Sequence, residues 1–127
     1  MPPIKTHRTS TKKEVIIGKA AKLFTEKSFV GTSMRDLAEA VGVEAASLYN
    51  HIQSKAEILQ ILCFRVANIL MDHLEKIEVN KQSSVEKIKS IIRFHIWHMI
   101  NNYNEVQVAD REWRHLSEPY LSNYKVQ

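Results

Sequence analysis

Residue types that staple, bend or break a chain are scarce here: one cysteine, three glycines and three prolines in 127 residues. A single thiol cannot form an intrachain disulfide, and Cys63 falls in an apolar helical run where a buried, inert thiol is expected. So few turn formers exclude the frequent tight reversals of an all-β chain. Apolar runs are short as well. None approaches the roughly 18 residues of a membrane span, and residues 1–13 are polar and basic, unlike a signal peptide. A cytoplasmic protein away from membranes is expected on these counts. A Gly-rich phosphate loop, a nucleophile elbow and a tight carboxylate pair are also missing, so no enzyme, cofactor or metal is indicated by motif.

What the chain does hold is Leu, Ile, Lys, Glu and Ala at helical spacing, which predicts an all-α fold of one domain, or one small domain plus part of another. The formal charge is +4, and its placement is uneven. Residues 1–55 carry nine Lys or Arg against five Asp or Glu, whereas the remaining 72 carry nine of each. The excess belongs to the N-terminal part, where a polyanion is a natural partner, although a solvated basic surface would give the same count.

Residues 1–11 hold Pro2, Pro3 and basic residues with little that is apolar, which predicts a disordered basic arm. From Lys12, Ile16, Ala20, Leu23 and Phe24 share one helical face, and Thr11 with Glu14 makes a capping box. Thr32 or Ser33 can cap a short helix from Met34 to Ala40, which Gly42 stops. A second short helix is expected from about Glu44 to His51, and a long one from Lys55 to about Glu78 with a wide apolar stripe. After a polar connection, Val85, Ile88, Ile91, Ile92, His95, Ile96, Met99 and Tyr103 predict the buried side of a further helix. A last helix is expected from roughly Glu105 to Leu116, with Pro119 ending regular structure.

The stretch from Ser33 to Ile52 meets the requirements of a helix-turn-helix. Ala38 is small where two helices cross, Gly42 permits the turn, and Val43 and Leu48 point back to the first helix. The second helix then presents Glu44, Ala45, Ser47, Tyr49 and Asn50, short or hydrogen-bonding residues that can approach base edges in a major groove. A plain three-helix core without a ligand does not explain this short, weakly charged outer face beside a basic flank.

Leu23-Phe24, the run from Phe29 to Ala38, Val41-Gly42-Val43, the run from Ser47 to Ile52 and the run from Ser54 to Leu59 together resemble the N-terminal DNA-binding domain of the TetR family of regulators. The resemblance covers residues 12 to about 60. It implies a three-helix DNA-binding domain over 12–54 and a helical effector-binding and dimerisation region over 55–127. It also implies a homodimer that binds double-stranded DNA at a near-palindromic operator, usually represses, and is released by a small molecule. By the same resemblance Ser33 and Arg35 touch the DNA backbone, while Ala45, Ala46, Ser47, Tyr49 and Asn50 lie on the recognition helix. Tyr49 and His51 match phosphate-contacting positions, and Lys55 matches a Lys that holds a phosphate at the start of the long helix. Two departures stand out: Glu44 occupies a common Ser or Thr cap position, and Ala45-Ala46 replaces a commoner basic or Gly pair, which shifts base contact toward Tyr49 and Asn50.

Plainer readings stand beside these. Lys55 can be a solvated first-turn Lys, Arg35 can pair with Glu39, and Lys5, His7 and Arg8 can be tail or minor-groove arm. Arg93, Phe94, Ile96, Trp97, His98, Met99, Tyr103 and Trp113 offer an apolar lining with polar tips for an apolar or amphipathic effector, or simply a packed stripe. His95 and His98, with Asp110, Glu112 and His115 nearby, leave a metal-dependent enzyme as a weak alternative. Family members carry two further helices for their dimer interface. The chain is therefore expected to be a fragment, a shortened member pairing through an apolar face after residue 56, or a helical interaction module.

Overall fold

The computed structural model describes residues 11–126, so the expected arm over 1–11 lies almost wholly outside the described residues. Helix α1 (Lys12–Lys27) starts where Thr11 Oγ1 accepts from the Glu14 backbone N–H at 3.2 Å. The reciprocal half of the expected capping box is replaced by a longer reach: both Glu14 oxygens accept from the Arg65 guanidinium, at 3.0 and 3.2 Å. Helix α2 (Met34–Val41) and the four-residue α3 (Ala45–Leu48) follow, and the long α4 (Lys55–Glu78) is capped by Ser54. Helix α5 (Ser84–Asn101) is capped by Ser83, and α6 (Tyr103–Glu112) runs into a 3₁₀ turn at Trp113–His115. Helix α7 (Tyr120–Lys125) closes the described chain. Every regular element among the described residues is helical.

One core joins the parts. Ile16, Ile17, Ala20 and Phe24 of α1, Leu37 and Ala38 of α2, and Leu48 of α3 pack with Ile58, Leu59 and Leu62 of α4 and Val108 and Ala109 of α6. The core is therefore continuous across the expected boundary at 54/55. Helix α6 lies against both α1 and α4. Arg111 reaches from it to the last turn of α1, donating to Phe24 O at 3.3 Å, which also accepts from the Ser28 N–H, and to Thr25 O at 3.1 Å, where a cation meets the carbonyls of a helix end.

Several expectations need correction. Helix α3 stops at Leu48 instead of His51, because beyond it the bonds tighten to three-residue steps: Asn50 N–H to Ser47 O and His51 N–H to Leu48 O. The last expected helix begins at Tyr103, separated from α5 by Asn102 alone. Pro119 starts a helix where it was expected to end regular structure: its missing N–H is no loss at a helix start. The largest difference is on α5. Val85, Ile88, Ile91, Ile92, His95, Ile96 and Tyr103 are exposed, and only His98 of this helix is fully buried. Helix α5 touches α4 through Phe94, whose ring stacks on His73, and its apolar period said which residues share a face without saying what covers it.

Candidate nucleic-acid interface

Helix α2 is fixed at both ends by local bonds. Ser33 Oγ accepts from the Asp36 N–H at 3.0 Å while Asp36 Oδ2 accepts from the Ser33 N–H at 2.9 Å, a reciprocal capping box. The bond from the Ser33 N–H, seconded by its hydroxyl and by Lys27 at 3.5 Å, holds the Asp36 carboxyl below its usual value. At the other end Gly42 takes a left-handed conformation, φ 82° and ψ 34°, and a Schellman turn forms as Gly42 N–H bonds to Glu39 O and Val43 N–H to Ala38 O.

That turn delivers α3 with one side inward. Leu48 and then Ile52 are buried in the core, whereas Glu44, Ala45, Ala46, Ser47, Tyr49, Asn50 and His51 are all exposed. Tyr49 exposes 53% of its surface. Ser33 and Arg35 are exposed at the start of α2, so the backbone-touching and base-reading residues expected from sequence share open surface. Glu44 makes no side-chain cap bond, and the Glu57 carboxylate accepts from the Gln53 N–H at 2.8 Å just before α4.

Lys55 is the exception. Its ammonium donates to Phe29 O at 2.7 Å and lies 4.4 Å from the Phe29 ring centroid, so it is half-buried and one of its three donors serves the fold. Phe29 itself packs edge-on to Phe24 and stacks on His115 at 5.6 Å, which ties the segment before α2 to the region after α6. These links, like Arg65 with Glu14 and Arg111 with α1, join residues 26 to 87 positions apart and leave no periodic mark in the sequence.

The expected effector residues are divided. Phe94 lies in the α4–α5 seam, its ring 3.8 Å from His73, 5.8 Å from His98 and 6.0 Å from Trp97. Arg93 is exposed and Met99 half-buried on the same helix. Tyr103 lines a different hollow, of about 360 Å³, with Gly18 and Ala21 of α1 and Ile100 to Glu105. Trp113 lies against Tyr124 and under Arg114. His95 and His98 do not join Asp110, Glu112 or His115: among the described residues no three His, Cys, Asp or Glu side chains gather as metal ligands. No helix among them is long and apolar enough to cross a membrane.

Helices α1, α2 and α3, with a left-handed turn between the second and third and an open face on the third, form a helix-turn-helix domain. Residues 16–62 match the family described as bacterial regulatory proteins, tetR family. The biofilm operon negative transcriptional regulator IcaR of Staphylococcus aureus is 34% identical over 83 residues, which are 65% of this chain and 42% of IcaR. The ketosteroid transcriptional regulator KstR2 of Mycobacterium tuberculosis superposes with a TM-score of 0.85 at 22% identity, over 94% of this chain and 61% of its own. AibR, solved with isovaleryl coenzyme A and operator DNA, superposes with a TM-score of 0.78 at 23% identity, over 91% of this chain and 63% of its own. The chain thus spans between 42% and 63% of the lengths of these proteins. IcaR and KstR2 are transcriptional regulators by name.

Proposed function

We propose that the chain is a sequence-specific DNA-binding transcriptional repressor acting as a homodimer in the bacterial cytoplasm, with residues 12–54 as its reading head. The observation that carries this is the outer side of α3: Leu48 and Ile52 anchor the element while Ala45, Ala46, Ser47, Tyr49 and Asn50 stand open. Small residues at its start let the backbone approach a major groove closely, and Tyr49 and Asn50 supply the polar tips that discriminate bases. Ser33, Arg35 and His51 border this face and set its register on the phosphates. Glu44 at its edge repels phosphate and narrows the approach. Regulation by a small apolar or amphipathic molecule in residues 55–127 accords with AibR's isovaleryl coenzyme A complex. The hollow between α1 and Tyr103, lined by Asn101, Asn102, Asn104 and Glu105 beside Ile100, would take a molecule with polar groups, and a ligand there touches the first helix of the reading head.

Selection of operators from random DNA, followed by a salt titration, tests the reading. Tyr49→Ala is expected to cost about 1–3 kcal/mol of specific binding, and Arg35→Ala to weaken all sequences and lower the salt slope by about one. Full sequence-specific affinity in both variants refutes the assignment. Lys55→Ala is a poor probe, since its loss disturbs Phe29 before any phosphate.

A further inference from the structure

Phe29 stands where the reading head meets the region after α6. Its ring takes His115 as a stacked neighbour, with centroids 5.6 Å apart and planes inclined by 27°, and meets Phe24 edge-on at 5.3 Å. The Lys55 ammonium lies 4.4 Å from the centroid of the same ring and donates to Phe29 O at 2.7 Å. That carbonyl also accepts from the Thr32 N–H at 3.3 Å. The loop around it is tightly wound: the Thr32 hydroxyl donates to Ser28 O at 2.7 Å, and the Ser28 hydroxyl accepts from the Gly31 N–H at 3.0 Å. Ser28 itself holds φ 74° and ψ 163°, a conformation ordinarily left to glycine that persists only where the surroundings impose it. His115 is steadied in turn, since its Nε2 lies 3.6 Å from Oε2 of Glu112, a buried carboxylate at the end of α6.

We propose that His115 is a positioning residue for DNA binding: by stacking on Phe29 it holds the ring and carbonyl on which the Lys55 ammonium rests, and so aims the two remaining N–H donors of Lys55 at a backbone phosphate. Placement supports this. Phe29 lies four residues before Ser33 and six before Arg35, so the bond to Phe29 O brings Lys55 across 26 positions to the border that those two residues form at the start of α2. The neighbouring Lys27 is held by Asp36 at 3.5 Å. Lys55 instead bonds to a neutral carbonyl, and among the described residues no carboxylate pairs with it, so a phosphate would supply the missing charge. A lysine side chain loses rotamer freedom when it engages a phosphate, and a ring and carbonyl that already hold it reduce that loss. Phe24 and His115 are the aromatic groups that keep the ring in place, and of the two only His115 belongs to the region after α6. A shift of the 3₁₀ turn Trp113–His115 therefore reaches the phosphate contact through two side chains. The inference rests on the proposed function, whose register on the phosphates it deepens.

Salt titration of the 127-residue chain on a selected operator and on a random duplex tests the assignment. His115→Ala is expected to bind both duplexes more weakly and to lower the salt slope by about 0.9, the share of one phosphate. His115→Phe puts a ring back on Phe29 and should restore the slope. Lys55→Met keeps the apolar stem without the ammonium, and in that background His115→Ala should bring no further change in slope. A purely structural role would lower Tm and leave the slope of the folded chain alone. Without DNA, the Lys55 ε-methylene protons should be shifted upfield by the Phe29 ring in the parent and in His115→Phe, and should return toward the position of a solvated lysine in His115→Ala. An unchanged slope or an unchanged methylene shift in His115→Ala overturns the proposal. So does a further full-sized drop on the Lys55→Met background, or a His115→Phe chain that restores nothing. Any of these in a parent that selects its operator leaves the proposed function standing. A parent whose slope responds as expected but which prefers no sequence refutes the proposed function and leaves His115 in its role, whereas a parent that binds no duplex overturns both.

Discussion

Truncation of Leu48 to alanine tests how the reading helix is held. Helix α3 has four residues, far below the length at which a helix persists in water, so its shape depends on tertiary packing. Leu48 is its only buried side chain and is wholly shielded from solvent. Removing three carbons from such a site costs about 3 kcal/mol, part transfer and part cavity, against a total of about 5–10 kcal/mol for a domain of this size. The flanking groups cannot replace the loss, because Ala45, Ala46 and Ser47 face solvent. Hydrogen exchange of the amides from Leu48 to Ile52, which bond back to residues 44–48, reads the element directly, and urea unfolding followed by far-UV circular dichroism reads the whole. Protection of those amides is expected to fall by at least about 2.5 kcal/mol, with the unfolding midpoint lowered and DNA binding lost. Ala46→Ser, on the exposed side, should stay within about 0.5 kcal/mol of the parent. A loss below about 1 kcal/mol in both readouts, with DNA affinity intact, would refute the idea that one side chain anchors the helix.

Acid and alkaline limits follow from two buried groups. Burial, and after it the nearby His95, holds His98 below its ordinary 6.5, so the folded state favours the neutral ring; stability is intact above pH 6.5 and falls as pH drops below it. Urea midpoints at pH 7 and pH 5 check this, and His98→Gln should remove part of the difference; equal loss in parent and variant would show that other groups set the acid limit. Burial, seconded by Glu112, pushes the Cys63 thiol from 9.0 up to about 12. The native protein should therefore resist iodoacetamide at pH 8 and react once unfolded, and the stability contribution should disappear as pH climbs from 9.0 toward 12. Rapid labelling of the folded chain would contradict the burial. Lys55→Met keeps the apolar stem and removes the bond to Phe29 O and the contact with its ring, which should cost about 1–3 kcal/mol of stability by thermal unfolding; an unchanged Tm would mean the ammonium is free for other partners.

Much of the reading head was written locally. The hydroxyl of Ser33, the carboxylate of Asp36 three residues on and the glycine at 42 act within one helical turn of themselves, so a cap and a stop are visible without knowing the fold. Helix α4 was equally legible, from Lys55 to Glu78, because an apolar stripe of that length has one regular interpretation. The same logic failed at α3, where a pattern long enough for two turns closes after one.

The fate of α5 marks the boundary of that logic. A period of three and four residues shows that Val85, Ile88, Ile92 and Ile96 lie on one side, and this follows from helix geometry alone. Whether that side is covered depends on which surface arrives from elsewhere, and in the single chain α4 meets α5 through Phe94 on His73 instead. Lys55 teaches the same lesson at the site: its place at the start of α4 was set by sequence, while its turn toward Phe29 depended on a carbonyl 26 residues away. Short-range hydrogen bonds and helical periodicity are properties of neighbouring residues, so the sequence by itself determined the long helices, the cap at Ser33 and the turn before the reading helix. Burial and charge pairing are properties of distant surfaces brought together, so only the tertiary structure decided which faces close, which cation is engaged, and that an apolar face of α5 is left open by the described residues.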